Sequence, residues 1–244
     1  MLNTRQKGHI RHALFCLLAL PLAGLPFWGC SIASSFTGGG VPIGKAAIIG
    51  RAVSAINLTK VMPNAKVHLV ASTRSKALFS YDTVTDSTGK FTFPEVSVGD
   101  IGAGLSISIT PANGGIRPQS IAFTLNKDET ANVVFTLVPY TYKIDNVSGF
   151  NLQPTDLALQ SNAPNKITAQ LIDPFGNVLP VAPTFVLVGN FSQVNADGTF
   201  IAGSSGVGVL GVYWYNDIQT SAVVTVSDDV VNPPPPPRHV IPQH

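Results

Sequence analysis

Histidine and cysteine are the side chains most often recruited for catalysis and metal binding, and the body of this chain is poor in both. Between residues 31 and 238, His68 is the only member of either type. His68 alternates with Val67 and Leu69, which places it on the solvent face of a strand with no second ligand at metal-binding spacing. No Ser-His-Asp or Cys-His set can be assembled. We therefore expect no enzyme activity, no metal and no other cofactor.

Two glycine-containing segments match nucleotide-binding patterns by letter only. The sequence D-S-T-G-K at 86–90 lacks the upstream glycine of a phosphate loop and precedes a strand. The sequence G-V-G-V-L-G at 206–211 has the spacing of a dinucleotide fingerprint, which requires a helix N-terminus beside the pyrophosphate. Residues 212–215 continue a strand pattern instead. Both segments are predicted to be structural, the first as a hairpin turn and the second as a strand.

The overall charge argues against nucleic acid as a partner. Three of the 15 basic residues lie within the first 29 positions, so the rest of the chain has 12 basic residues against 13 acidic ones. Phosphate binding requires a clustered basic surface, which this near-neutral balance does not provide. Charged residues make up only 11% of the chain, and glycine and proline are abundant. Short apolar alternations between turn residues predict an all-β protein.

The N-terminus has the pattern of an export signal. Arg5, Lys7 and Arg11 precede an apolar run at 13–28. That run contains Pro21 and Pro26 and is shorter than the roughly 20 residues that a membrane-spanning helix needs. Residues 1–29 are therefore predicted to be a signal peptide.

Cys30 is the candidate for anchoring the exported chain. The segment L-P-F-W-G-C at 25–30 resembles a bacterial lipoprotein signal, and this resemblance implies that Cys30 is acylated and becomes the first residue. The lipid anchor would hold the protein on a membrane, at the outer membrane or cell surface. The alternative is cleavage after S-I-A at 31–33, which would give a secreted or periplasmic protein. Residues 30–45 are small, polar and glycine-rich, and are predicted to form a flexible tether.

The segment 46–138 is predicted to be the first of two Greek-key or Ig-like β-sandwich domains in series. Seven strands are expected: 46–53, 66–71, 80–85, a strand that carries Phe91 and Phe93 on one face, 105–110, 121–125 and 133–137, with a hairpin turn at 86–89. The stretches at 49–53, 63–67, 85–93 and 96–99 resemble the carboxypeptidase regulatory-like (transthyretin-like) domain. The resemblance implies an accessory β-sandwich of envelope proteins and brings no catalytic residues.

The segment 146–228 is predicted to be the second sandwich, after a linker at 139–145 that limited proteolysis should cut. Strands are expected at 156–160, 166–173, 184–188, 199–202, 207–215 and 222–226. The stretches at 167–173, 176–178, 196–200 and 222–226 resemble bacterial Ig-like domains of the invasin and intimin type. Such domains are spacers or adhesive repeats on cell surfaces. A proline-rich tail follows at 229–244, and is predicted to be a spacer.

Tyr213 and Tyr215 are the candidate ligand-binding residues. They share one face of the strand at 207–215, while Leu210, Val212 and Trp214 share the other. A pair of exposed tyrosines can stack on sugar rings, whereas the alternative is that both pack against a neighbouring strand or domain. The sequence thus predicts a non-enzymatic envelope lipoprotein with a structural or adhesive role, whose partner is a polysaccharide or a surface protein. The alternative function is a carbohydrate-binding module that retains polysaccharide at the cell surface.

Overall fold

The structure, a computed structural model, describes residues 44–143, 147–153, 158–191, 194–215 and 218–228. The predicted leader, Cys30, nearly all of the tether and the proline-rich tail lie outside these described residues. Within the described ranges the protein is all-β, which confirms the predicted fold class. The same ranges contain no helix with the length and apolar character that crossing a membrane requires.

Sixteen strands run through the described residues. The first eight are β1 (Lys45–Ser54), β2 (Asn57–Val61), β3 (Lys66–Thr73), β4 (Leu78–Val84), β5 (Lys90–Ser97), β6 (Ala103–Thr110), β7 (Gln119–Leu125) and β8 (Thr130–Leu137). The others are β9 (Gly149–Gln153), β10 (Ala158–Gln160), β11 (Pro164–Lys166), β12 (Thr168–Ile172), β13 (Thr184–Val188), β14 (Thr199–Ile201), β15 (Gly206–Trp214) and β16 (Ile218–Ser227).

These strands form one large sheet and three smaller ones. The large sheet has the order β10-β16-β15-β13-β8-β1-β2, and β5 also pairs with β1. A four-stranded sheet has the order β4-β3-β6-β7, and the pairs β9-β12 and β11-β14 form two-stranded sheets. Strands from both predicted domains, 46–138 and 146–228, are therefore hydrogen-bonded into a single sheet.

The large sheet is continuous because β8 and β13 pair with each other. On one side β8 runs parallel to β1, and on the other it runs antiparallel to β13, with Val133 opposite Val186 and Val134 opposite Phe185. All five residues of β13 are buried, as are all residues of β8 after its first. Neighbouring residues of a strand point to opposite faces, so this continuous burial means that both faces of the sheet are covered here.

Two hydrophobic cores lie on opposite faces of the large sheet. The first core joins Val133, Phe135 and Val186 to residues of the four-stranded sheet, including Leu69 and Ile107. The second core joins the alternate residues of the same central strands to residues of the two small sheets. Its members include Val134, Phe185, Leu187, Leu210, Val212, Ala169 and Phe200. The fold is therefore layered around β8 and β13.

A chain of buried polar groups ties the four-stranded sheet to the centre of the large one. The backbone N–H of Thr136 donates to Thr184 Oγ1 at 3.0 Å, and Thr184 Oγ1 donates to Gln119 Oε1 at 3.2 Å. Gln119 Nε2 then donates to the Tyr215 carbonyl at 3.2 Å. Gln119 belongs to β7, Thr136 to β8 and Thr184 to β13. These hydrogen bonds therefore connect three strands of the two sheets, and each buried polar group finds its partner inside the protein.

The predicted turn at 86–89 is confirmed. Asp86 Oδ1 accepts the N–H groups of Thr88 at 2.7 Å and of Lys90 at 2.9 Å, and Gly89 has φ 76°. The bond from the Lys90 N–H is the main reason that the pKa of Asp86 lies below its ordinary value. The segment has no phosphate-loop geometry. It is not the predicted hairpin, however, because β4 pairs with β3 in the four-stranded sheet and β5 pairs with β1 in the large sheet, so the turn connects two different sheets.

Candidate functional site

An open groove of about 870 Å³ lies between the outer side of β7 and the adjoining face of β15 and β16. Its β7 wall is formed by Ala122, Phe123 and Thr124, and its floor includes Val209 and Gly211 of β15. The groove exists because the two facing sheets differ in width. The four-stranded sheet ends at β7, whereas the large sheet continues under it through β15 and β16.

Three exposed valines lie on the face of β15 and β16 that adjoins the groove. Val207, Val209 and Val223 are 70%, 45% and 64% exposed, and Val209 lies directly opposite Val223 in the β15-β16 pairing. Side chains of directly opposed residues lie on the same face of a sheet, so these valines form one stripe. We call Val207, Val209 and Val223 the valine stripe. It lies on the same face as Val186, which is buried in the first core.

Tyr213 lines this groove and is half-buried. Its hydroxyl donates to the Ala122 carbonyl of β7 at 2.9 Å, and burial raises its pKa. The ring lies over Gly211, because a Cβ placed on Gly211 would come within 2.7 Å of a ring carbon. The tyrosine therefore bridges the two sheets and supplies one polar group and one ring to the groove wall.

Tyr215 does not stand beside Tyr213, which corrects the predicted side-by-side pair. Strand β15 ends at Trp214, and Tyr215 has φ 53°, a left-handed conformation that breaks the strand alternation. The Tyr215 ring centroid lies 6.0 Å from the guanidinium carbon of Arg117, which also lies 4.8 Å from the Tyr140 ring. Only Tyr213 contributes to the groove, and both tyrosines pack against other elements, as the alternative interpretation expected.

Two of the three glycines at 206–211, Gly208 and Gly211, allow aromatic rings to pack against a strand. All six residues belong to β15, which confirms the strand prediction for this segment. A Cβ on Gly208 would overlap the ring of Phe191, and one on Gly211 would meet the ring of Tyr213. Two aromatic rings thus pack against β15, one on each face. Each ring lies over a glycine, and any side chain at that position would displace it.

The remaining predicted residues have simple structural positions. His68 is exposed on β3, and its Nδ1 lies 2.8 Å from Asp82 Oδ1 of β4. Within the described ranges, no three residues among His, Cys, Asp and Glu come together in a way that could hold a metal ion. Sequence reasoning missed the β7 residues of the groove. The signal that points to them is the absence of charge and proline from Gln119–Leu125.

No protein-family model and no curated protein matches this chain. Three solved structures with similar features are the Bacillus anthracis TIE protein, invasin, described as a bacterial integrin-binding protein, and a tetra-tandem repeat from the extending region of a large adhesion protein. Their identities to this chain are 14%, 14% and 10%, and their TM-scores are 0.32, 0.25 and 0.23. The matches cover 74%, 78% and 75% of this chain, which spans only 31%, 40% and 50% of those chains.

Proposed function

We propose that this protein is an exported, non-catalytic module of the cell envelope with a structural or adhesive role, anchored through a lipid on Cys30. The observation that carries the structural role is the pairing of β8 with β13. It joins strands from both halves of the chain in one sheet whose central strands are buried on both faces. A body of this kind resists bending between its halves, and such rigidity suits a spacer or a platform on a surface.

Fractionation of cells that express the full chain tests the anchor. The protein is expected in the membrane fraction, and Cys30→Ala is expected to move it to the soluble fraction. Cys16→Ala is the matched control, because Cys16 lies in the predicted leader and its loss should leave the location unchanged. A wild-type protein that is already soluble and begins at Ser34 would contradict lipid anchoring.

Surface display is a separate part of the proposal. Protease added to intact cells should degrade the body of the protein while a periplasmic marker stays intact. Full protection of the body until the cells are broken would instead assign the protein to the inner side of the envelope. It would exclude an adhesive role at the cell surface.

Carbohydrate retention is the second candidate function, and the position of Tyr213 favours it. A tyrosine ring lines an open groove whose walls also carry Thr124, Asn126 and Thr220. An aromatic ring face and nearby hydrogen-bonding groups are the features that sugar binding uses. Tyr213→Ala should lower binding on a glycan array, whereas Tyr140→Ala, outside the groove, should not. A wild-type protein that binds no glycan removes this candidate.

A further inference from the structure

Several connections gather around a third, smaller core at one end of the large sheet. Strands β1, β8 and β15 end here and β13 begins here, because β8 is parallel to β1, and β13 is antiparallel to both β8 and β15. The connection from β6 to β7 also reaches this end, since the Arg117 N–H donates to the Val138 carbonyl at 2.8 Å. We call this end of the sheet the loop end. The buried members of its core are Ala55, Val138, Val147, Leu171, Val181 and Trp214.

The first and last described segments meet the large sheet at its opposite end. Strand β1 starts at Lys45 and runs about 30 Å toward the loop end. Strand β16 is antiparallel to β15, so it runs away from the loop end and finishes at Ser227. An attachment through residues that precede Gly44, as proposed above, therefore leaves the loop end on the far side of the body, where a partner can approach it.

Arg117 lies at the loop end between two tyrosine rings. Its guanidinium carbon is 4.8 Å from the centroid of the Tyr140 ring and 6.0 Å from that of the Tyr215 ring. One terminal nitrogen donates to the Tyr140 carbonyl at 3.3 Å, whereas the buried Nε has no hydrogen-bond partner among the described residues. Tyr215 in turn packs against the third core. The two rings thus hold the guanidinium in place while most of its N–H groups stay unused. We call Arg117, Tyr140 and Tyr215 the arginine cluster.

The arginine cluster carries a positive charge that no described carboxylate neutralises. The ion pairs within the described ranges join Lys45 to Glu95 and His68 to Asp82. Arg117 is half-buried and Tyr140 is 52% exposed, so a molecule in solution can reach the cluster. A planar guanidinium can form two parallel hydrogen bonds with a carboxylate, and such charge-assisted pairs are stronger than neutral hydrogen bonds. The charge of the cluster therefore complements a carboxylate.

We propose that the loop end is a docking surface for a protein partner, and that the arginine cluster binds an Asp or Glu side chain of that partner. Arginine and tyrosine are enriched at the centres of protein–protein interfaces, where a few residues carry most of the binding energy. Ile56 and Phe175, which are 54% and 89% exposed, add apolar contact area at the same end. Ile56 follows Ala55 of the third core, and Phe175 lies between Leu171 and Leu179, which both pack in that core.

The turn that carries Phe175 is fixed by hydrogen bonds. Asp173 Oδ1 accepts the N–H groups of Phe175 at 2.9 Å and of Asn177 at 2.8 Å, and Gly176 has φ 84°. Hydrogen bonds, first of all the one from the Asn177 side chain, hold the pKa of Asp173 below its ordinary value. A side chain on such a turn loses little backbone freedom when it binds. Phe175 is therefore suited to fill an apolar pocket of the partner.

A protein segment fits this surface better than an acidic polysaccharide does. A polyuronate carries carboxylates on successive sugars, and a row of cations would complement it best. The arginine cluster instead holds one cation, which suits a single Asp or Glu side chain. The exposed rings and the aliphatic side chain around it match apolar side chains of a protein, and a chain of charged sugars offers few such groups.

Selection from a phage-displayed library of random peptides tests the proposal with the purified full chain. The recovered peptides should share an Asp or Glu, and a synthetic peptide with Asn or Gln at that position should bind about tenfold more weakly. Arg117→Gln should weaken binding of the acidic peptide by a similar factor, because the charge-assisted pair is lost. Arg51→Gln is the matched control and should bind normally. Arg51 is also half-buried with an unpartnered Nε, but it lies in β1 and makes none of the described ring contacts.

A second variant and a second ligand keep the test decisive. Tyr140→Ala removes an exposed ring, so it should fold with little change in thermal midpoint and still bind the acidic peptide several-fold more weakly. An empty selection, peptides without a shared acid, or equal binding by Arg117→Gln and the parent chain would overturn the proposal. Binding of polygalacturonate that depends on Arg117, without binding of any acidic peptide, would overturn it in favour of a polysaccharide. These measurements use purified protein, so their outcome is independent of the fractionation and surface-display experiments that test the proposed function.

Discussion

Replacing Leu187 with alanine should destabilise both halves of the protein together. Leu187 is 1% exposed, lies in β13 and belongs to the second core. Truncation of a buried leucine to alanine costs about 2–5 kcal/mol, out of a total stability of about 5–15 kcal/mol. For a body of this size each kcal/mol shifts the thermal midpoint by about 2–4 °C. A loss of about 3 kcal/mol should therefore lower the midpoint by roughly 6–12 °C.

The first core should unfold with the second because the two share their central strands. Strand β13 contributes Val186 to the first core and Leu187 to the second, and β8 does the same with Val133 and Val134. Neither core can lose these strands without exposing the apolar residues of the other. Unfolding of either half alone would also break the β8-β13 ladder, which spans four residue pairs.

Two probes follow the two halves independently. Trp214 fluorescence reports on the second half, since Trp214 is buried and the other tryptophan, Trp28, lies in the predicted leader. Hydrogen exchange in β3 and β6 reports on the first half. Both probes should give one midpoint, and Leu187→Ala should lower it equally for both. Leu78→Ala is the matched control, because Leu78 is 67% exposed and its truncation should shift neither probe by more than about 0.5 kcal/mol. Two separate midpoints, with only the Trp214 signal moved by Leu187→Ala, would refute the coupling and support two independent domains.

Three further changes test local features of the structure. The folded-state pKa of Asp86 is lowered chiefly by the hydrogen bond from the Lys90 N–H, so its stabilising contribution is present above the unfolded pKa of about 3.9 and is lost as pH falls through the lower folded value. Asp86→Asn should therefore melt below the parent chain at pH 7, and calorimetry should find this difference shrinking as the pH falls below the unfolded pKa and through the lower folded-state pKa. Thr184→Val removes the buried acceptor of the Thr136 N–H and should cost about 1–3 kcal/mol in denaturant unfolding. Gly198→Ala should destabilise the turn before β14 by more than 1 kcal/mol, since φ is 81° and the added Cβ meets a backbone carbonyl; an unchanged melting midpoint would contradict this.

Local patterning predicts the strands that lie against a core. Alternation over 66–71 marks β3, where every second residue from Val67 to Thr73 is buried. The prediction for β13 at 184–188 is confirmed residue for residue. Strands β2 and β9 were missed, and β11 was missed except for its last residue, Lys166. Strand β2 pairs only at the edge of the large sheet and has no fully buried residue, so its sequence shows no alternation.

The pairing of β8 with β13 cannot be read from local alternation, because it joins residues about 50 positions apart. A weaker signal was present in the sequence. Residues 133–135 and 185–188 are uninterrupted apolar runs, and such runs are typical of strands covered on both faces. A sandwich strand with one face in water would instead show alternate polar residues. These two runs therefore indicated strands inside a layered fold, although they did not identify their partners.

The candidate site was predicted only in part, because local alternation describes a residue only within its strand. Leu210, Val212 and Trp214 are buried on one face of β15, which confirms the predicted division of faces up to Trp214. Alternation predicts where a residue points only while the strand continues. Tyr215 lies one residue beyond the end of β15 with a positive φ. The turn formers Asn216 and Asp217, which follow it directly, are the sequence signal that the strand ends here.

Tyr213 connects the stability of the fold with the use of the groove. Its hydroxyl donates to the Ala122 carbonyl of β7 and so joins the two sheets. The same ring forms part of the wall that a sugar would contact. Tyr213→Phe separates these roles, because it keeps the ring and removes only the hydroxyl. Loss of the hydrogen bond to Ala122 should lower the free energy of unfolding by about 0.5–1.5 kcal/mol in denaturant unfolding, whereas a groove that binds sugar through the ring should keep its affinity on a glycan array. An unchanged unfolding midpoint together with lost glycan binding would refute this division of roles.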